Sequence, residues 1–338
     1  MTKILILSRI DNAAIAQLDA QYDVVCAFDA TQDSLAERVR DCEILIFRSG
    51  IQITAEVLRS APNLALAVRA GAGTDNIDLV HAQSQGIRVV TVPEPGATAV
   101  AELSFALMLG LARKLRVADN LLRQGRWAKH ELTGHGFVGK TLGIVGAGNI
   151  GTRVGRMGAA WGMKVLGCVR TPTTERRRRL AAQGIELADL DAVLASSDYL
   201  SLHVPLNEST VGLIDARALT QMKAEAFLVN LSRGGVVDEE ALRAALTTGR
   251  LAGAALDVHV KEGAAFASPL SDLPNVLLTP HIGGSTNVAQ QEIGERVLDA
   301  VSAYLTERNG QVGHAPNWRV HATREPQNAT KDSLEICN

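Results

Sequence analysis

The chain has 338 residues, 46% of them apolar, and a formal net charge of −2. That length suits two domains better than one, and that apolar share can fill a sizeable core. The near-neutral charge gives no electrostatic reason to expect nucleic acid or a membrane surface as partner.

The chain starts with Met1-Thr2-Lys3 and a short apolar run at 4–7, which reads as a first β-strand rather than a signal peptide. Further strands are expected at 24–28, 44–47, 64–68 and 88–92, with amphipathic helical stretches between them at 14–19 and 34–40. One long helix is expected from about Thr98 to Arg123, ending near Gly125. A second series of strands follows at 142–145, 164–169, 199–204, 226–230, 253–258 and 276–279, six in all, the full complement of a dinucleotide-binding sheet. A last helix covers roughly 287–305, and from Arg308 onward the chain is polar and without period, which reads as a mobile tail. Strands alternating with helices define an α/β protein with parallel sheets. No run is judged long enough to span a bilayer. Cys26, Cys42, Cys168 and Cys337 have no paired spacing, so they read as reduced thiols of a cytoplasmic protein, with no metal site.

Gly146-Ala147-Gly148-Asn149-Ile150-Gly151 fits G-x-G-x-x-G between an apolar strand and a helical pattern. The first glycine makes the turn, the second admits a pyrophosphate to the backbone, and the third lets helix and strand pack closely. The helix N-terminus offers free N–H groups and a positive dipole end. An NAD enzyme carries a carboxylate at the end of the next strand to accept from the ribose hydroxyls. Here that place holds Val169, followed by Arg170. An arginine there pairs with a 2′-phosphate, so NADP(H) is favoured over NAD(H). The run Arg176 to Arg179 reads mostly as a solvated helix face.

Three later strand ends carry Arg233, Glu262 and His281. In an open parallel sheet, ligands bind outside the carboxyl ends of strands. Reduction of a 2-oxo acid needs a cation to grip the carboxylate, and an arginine offers a planar fork of donors. The developing alkoxide needs a proton, which a histidine can supply. A neighbouring carboxylate stabilises the imidazolium. Arg233 is therefore read as anchor, His281 as acid/base and Glu262 as its partner. Each also has a bland reading: a loop histidine, a solvated carboxylate, or an arginine that caps a helix or pairs with Asp238.

With these residues in place, the sequence resembles the D-2-hydroxyacid dehydrogenase family, in its phosphoglycerate dehydrogenase and hydroxypyruvate/glyoxylate reductase branch. The resemblance rests on Arg69-Ala70-Gly71-Ala72-Gly73-Thr74-Asp75-Asn76, Gly139-Lys140-Thr141-Leu142-Gly143, His203-Val204-Pro205-Leu206 with Thr210, Asn230-Leu231-Ser232-Arg233-Gly234-Gly235, Ala255-Leu256-Asp257-Val258 and Pro280-His281-Ile282-Gly283-Gly284. It covers about residues 1–306 and leaves out the tail.

The resemblance implies two doubly wound parallel-sheet domains, a Rossmann nucleotide domain (96–285) inserted into a flavodoxin-like substrate domain (1–95 plus 286–307), with a tail at 308–338. It implies an active site in the cleft between them and a homodimer built through the nucleotide domain. It implies Arg233, Glu262 and His281 as the catalytic set. Cofactor contacts are implied for Gly146, Gly148, Asn149, Ile150, Gly151, Arg170, His203, Pro205, Thr210, Leu231, Ser232, Asp257, Gly283 and Gly284. Substrate contacts are implied for Arg48, Ala72 and Gly73. The expected substrate is a small anionic 2-oxo or 2-hydroxy acid, such as hydroxypyruvate, glyoxylate or a phosphorylated analogue. Oxidation of D-3-phosphoglycerate, a nicotinamide-sensing corepressor role and oxidation of an inorganic oxyanion such as phosphite are the alternatives. The sequence departs from the branch at Val169, at Gly96 where an asparagine is usual, and at Gly263 where a proline often follows the glutamate.

Overall fold

The computed structural model describes residues 1–92, 95–263, 266–310 and the backbone of 319–321. In chain order the elements are β1 (Lys3–Ile6), α1 (Asn12–Asp19), β2 (Asp23–Cys26), α2 (Leu35–Arg38), β3 (Ile44–Phe47), α3 (Ala55–Arg59), β4 (Leu66–Arg69), α4 (Leu79–Ser84) and β5 (Arg88–Thr91). There follow α5 (Pro95–Ala112), α6 (Leu115–Arg123), β6 (Thr141–Val145), α7 (Asn149–Ala160), β7 (Lys164–Cys168), α8 (Thr174–Ala181), β8 (Ile185–Leu187), α9 (Leu190–Ser196) and β9 (Tyr199–Leu202). The last are α10 (Ala216–Gln221), β10 (Phe227–Asn230), α11 (Glu239–Thr247), β11 (Gly253–Leu256), β12 (Val276–Leu278), α12 (Asn287–Arg308) and β13 (Arg319–His321).

The chain divides into two compact units, Met1–Gly96 with Ser285–Asn338, and Ala97–Gly284. In the first, the strand order β13-β5-β4-β3-β1-β2 is the flavodoxin-like arrangement of five parallel strands plus one antiparallel edge strand. Side chains alternate across this sheet. Leu5, Leu45, Phe47, Ala67 and Val89 fill one layer, while Ile4, Ile6, Ile44, Ile46, Val68 and Val90 fill the other. The second layer is closed by Ile293, Val297 and Val301 of α12, each worth about 1.5–3 kcal/mol when buried. That is why the C-terminal helix belongs with the N-terminal strands.

The other unit holds seven parallel strands ordered β12-β11-β10-β9-β6-β7-β8, a doubly wound Rossmann sheet. Val145, Leu200, Leu202, Leu228 and Leu256 face one core, and Ile144, Val165, Tyr199, Val229 and Ala255 the other.

Four sequence expectations are corrected here. Only six strands were expected in the second unit. The seventh, β8, is three residues long and carries Glu186 at its centre, too little apolar pattern to announce itself. The single long helix is two, because Lys114 adopts a left-handed conformation (φ 53°) between α5 and α6. One helix is long and apolar enough to cross a membrane: α5, of 18 residues with mean hydropathy 1.4. It is 61% buried within the protein and contributes Ala101, Phe105 and Met108 to the core. Finally, the tail does not begin at Arg308, since α12 runs through that residue and Arg319–His321 pairs with β5. The rest of the expected tail lies outside the described residues.

Candidate active site

The phosphate loop follows β6. Gly146 has φ +93°, and a Cβ there would lie 2.4 Å from the carbonyl oxygen of His203, so only glycine fits. Gly148 forms the N-cap of α7, and no side chain caps that helix. Four other helices of the unit, α8 to α11, are capped by Thr173, Asp189, Asp215 and Asp238. A Cβ at Gly148 would meet nothing within 4 Å, so the approach to these first-turn N–H groups is open. An uncapped helix start behind an open glycine fits a pyrophosphate. Gly151 is buried in the first turn of α7, Ile150 packs partly on the core, and the Asn149 side chain hydrogen-bonds Arg153.

Beyond β7, Val169 packs against the core, while Arg170 is exposed and makes no side-chain bond among the described residues. The four-arginine run lies in α8, and Arg177 there donates to the Leu187 carbonyl at 3.0 Å.

His203 follows β9. Its Nε2 lies 2.8 Å from Ser201 Oγ, while its Nδ1 is sealed from the surface without a partner among the described residues. Burial pushes its pKa down to about 3. Thr210 closes the next loop, donating to the Pro205 carbonyl at 2.6 Å and accepting from the Asn207 N–H at 2.9 Å. The depressed value of His203 sets a sign. Between the unfolded value, about 6.5, and the folded one, the unfolded chain binds the extra proton, so stability falls as pH falls through that window. Denaturant titrations at pH 7 and pH 4 are expected to differ by about 2–3 kcal/mol more in the wild type than in His203→Asn. Equal losses in both proteins would refute this assignment.

The three remaining loops start at the carboxyl ends of β10, β11 and β12. Asn230 organises the first: its Oδ1 accepts from Ser232 N (3.0 Å) and Ser232 Oγ (2.7 Å), and its Nδ2 donates to the Arg233 carbonyl (3.0 Å). Leu231 is buried in the core. Arg233 is half-buried, and its Nη1 donates to the Ser232 carbonyl at 2.7 Å. Asp238 is spent on capping α11, accepting from the N–H groups of Glu240 and Ala241 at 3.0 Å each.

Glu262 and His281 come together. Nδ1 of His281 lies 2.8 Å from Oε2 and 3.0 Å from Oε1 of Glu262, each side chain 26% exposed. Burial opposes ionisation of Glu262, but the hydrogen bond and charge of His281, with help from His259, outweigh it and hold its pKa below the ordinary value. With Nδ1 committed to the carboxylate, Nε2 is the nitrogen left to exchange a proton with a ligand.

His281 also has φ 54°, a conformation rare for a non-glycine residue. The buried carboxylate of Asp257 holds it there. Its oxygens accept from Thr279 Oγ1 (2.7 Å), Ile282 N (2.8 Å) and Gly283 N (2.8 Å), and its carbonyl accepts from His281 N (2.8 Å). Asp257, which the resemblance implies as a cofactor contact, also shapes the histidine turn through these bonds. Asn230, Thr279 and His259 hydrogen-bond within these loops and were not among the expected site residues. Asn230 at a strand end before Leu231-Ser232-Arg233-Gly234-Gly235 was the one available signal. In the other unit, the Arg48 guanidinium donates to Gln290 Oε1 (2.5 Å), its pKa lowered by burial. Gly73 lies on the loop after β4, with Ala72 exposed beside it.

A doubly wound nucleotide sheet with an uncapped phosphate helix and a carboxylate–histidine pair at its strand ends defines a nicotinamide-dependent dehydrogenase fold. A family model described as D-isomer specific 2-hydroxyacid dehydrogenase, NAD binding domain, matches residues 105–283. The hydroxypyruvate reductase of Thermotoga maritima is 38% identical over 273 residues, spanning 80% of this chain and 87% of that one. The chloroplastic D-3-phosphoglycerate dehydrogenase 2 of Arabidopsis thaliana is 36% identical over 90% of this chain, which spans only 48% of that protein's length. The crystal structure of D-lactate dehydrogenase from Aquifex aeolicus, complexed with NAD and lactic acid, aligns with TM-score 0.80 and 27% identity over 92% of this chain and 97% of that one. This chain belongs to the D-isomer specific 2-hydroxyacid dehydrogenase family.

Proposed function

We propose that the chain is an NAD(P)-dependent D-2-hydroxyacid dehydrogenase that reduces a small 2-oxo acid such as hydroxypyruvate or glyoxylate. The observation that carries this reading is the Glu262–His281 pair at 2.8 Å. The nicotinamide, when bound, supplies the hydride that adds to C2 of the acid. Arg233 grips the substrate carboxylate and polarises the carbonyl. His281 gives its Nε2 proton to the carbonyl oxygen as that hydride arrives, and Glu262 stabilises the imidazolium beforehand. In oxidation the proton returns to the same nitrogen. Gly146, Gly148, Asn149, Ile150 and Gly151 would hold the pyrophosphate, with Arg170 at the adenosine ribose. His203, Pro205, Thr210, Leu231, Ser232, Gly283 and Gly284 are assigned to the rest of the cofactor, and Arg48, Ala72 and Gly73 to the anionic substrate.

A homodimer is part of this reading. It is supported by the apolar residues that α6 and the following segment leave outside the core, among them Trp127 (81% exposed) and Val138 (83%). A cytoplasmic location is inferred from the free thiols of Cys26, Cys42 and Cys168. Oxidation of D-3-phosphoglycerate is the second reading, favoured by the likeness to the Arabidopsis enzyme.

The test is nicotinamide absorbance with NADPH or NADH and a panel of hydroxypyruvate, glyoxylate, pyruvate and D-3-phosphoglycerate. Turnover of 2-oxo acids with preference for NADPH is expected. Arg170→Ala should lower kcat/KM for NADPH by about tenfold and leave NADH unchanged. Wild-type preference for NADH would sink the NADP(H) assignment, and cofactor binding without turnover would favour a sensor.

A further inference from the structure

His259 touches all three strand-end loops. Its main chain packs so tightly on Gly234, next to Arg233, that a Cβ at that glycine would lie 1.9 Å from the His259 carbonyl oxygen. Its N–H donates to Glu262 Oε1 at 3.3 Å. Its ring Nε2 lies 3.0 Å from the carbonyl oxygen of Thr279, two residues before His281. A carbonyl oxygen only accepts, so Nε2 carries the hydrogen and Nδ1 of the neutral ring is an acceptor. That Nδ1 is buried and has no partner among the described residues. A buried acceptor without a partner costs stability, so packing alone does not account for an imidazole here. A phenyl ring could make the same contact with Phe266, now 5.6 Å away between centroids, without that cost.

We propose that His259 is a positioning residue for the Glu262–His281 pair. Its Nε2–H fixes the peptide that enters the histidine turn, while its main chain steadies the Glu262 carboxylate. This rests on Glu262 and His281 being the working pair. The step His259 governs is alignment: Glu262 must meet Nδ1 of His281 while Nε2 stays aimed at the reacting carbonyl. The imidazole joins the loop after β11 to the one after β12 by a single bond, and no other side chain among the described residues donates to the Thr279 carbonyl.

The experiment is nitrogen-15 NMR of the histidine-labelled full chain, with kinetics alongside. The wild type should show neutral His259 as the Nε2–H tautomer; the Nδ1–H tautomer overturns the proposal. His259→Phe should lower kcat for 2-oxo acid reduction by about tenfold. It should also move the basic limb of kcat/KM, and the His281 ring titration, to lower pH, because the turn that carries His281 is less firmly held against Glu262. His259→Gln, whose Nε2 can donate to the same carbonyl, should recover both. An unmoved His281 titration in His259→Phe, or a glutamine variant no better than phenylalanine, overturns it. If no 2-oxo acid turns over, the functional reading fails, while the tautomer and the His281 titration still decide the role of His259.

Discussion

Replacing His281 with glutamine is expected to lower kcat for 2-oxo acid reduction by about 10²- to 10⁴-fold, the usual contribution of a positioned general acid. Cofactor binding should persist, because the phosphate loop and α7 stand on other strands of the same sheet. Glu262→Gln should be milder in kcat but should change the pH profile. An amide stabilises imidazolium less than a carboxylate does, so the basic limb of reduction, where His281 loses its proton, moves to lower pH. The stability effect has its own sign. Glu262 is held below its ordinary value of 4.5, so its pairing stabilises the fold above that pH and is lost as pH falls through the folded value. The wild type should therefore melt above Glu262→Gln at neutral pH, and the difference should vanish in acid. Full activity in His281→Gln would remove the acid/base assignment, and an unmoved limb in Glu262→Gln would remove the carboxylate's role.

The parts of this fold that could be read from sequence are those encoded locally. Short apolar runs such as Ile44–Phe47 and Phe227–Asn230 are buried on both faces, so they stand out as strands. The glycines of the phosphate loop announce a turn because backbone geometry there demands them. Arg233, Glu262 and His281 were legible as residue types at strand ends, and the structure brings Glu262 and His281 into contact. What escaped depends on partners far away in the chain. Nothing near Lys114 marks the break between α5 and α6, with neither glycine nor proline at the site. Val320 pairs with Val90 across more than two hundred residues, which no local period reports. The resemblance implied Asp257 as a cofactor contact and said nothing of its part in the histidine turn. Its burial and its three donors, all from residues 279 to 283, are visible only in three dimensions.

This hydrogen-bonding role of Asp257 carries the second large expectation. Asp257→Asn keeps the volume of the side chain but replaces one acceptor oxygen with an NH2 group. If the remaining oxygen stays on Thr279 and Ile282, the amide faces the Gly283 N–H, donor against donor; the flipped amide faces the Ile282 N–H and forfeits that acceptor instead. Either way a buried N–H loses its partner, at a cost of about 1–3 kcal/mol, and a charge-assisted bond is lost with it. The same turn holds His281 at φ 54°, a strained backbone that persists only while its surroundings enforce it. Asp257→Asn should therefore lower stability by about 2–4 kcal/mol in urea titrations and reduce kcat without comparable change in cofactor affinity. Thr279→Val removes only the hydroxyl bond and should cost about 1 kcal/mol. A nicotinamide contact for Asp257 adds weakened cofactor binding to the stability loss, so cofactor affinity in Asp257→Asn decides whether the carboxylate has that second role.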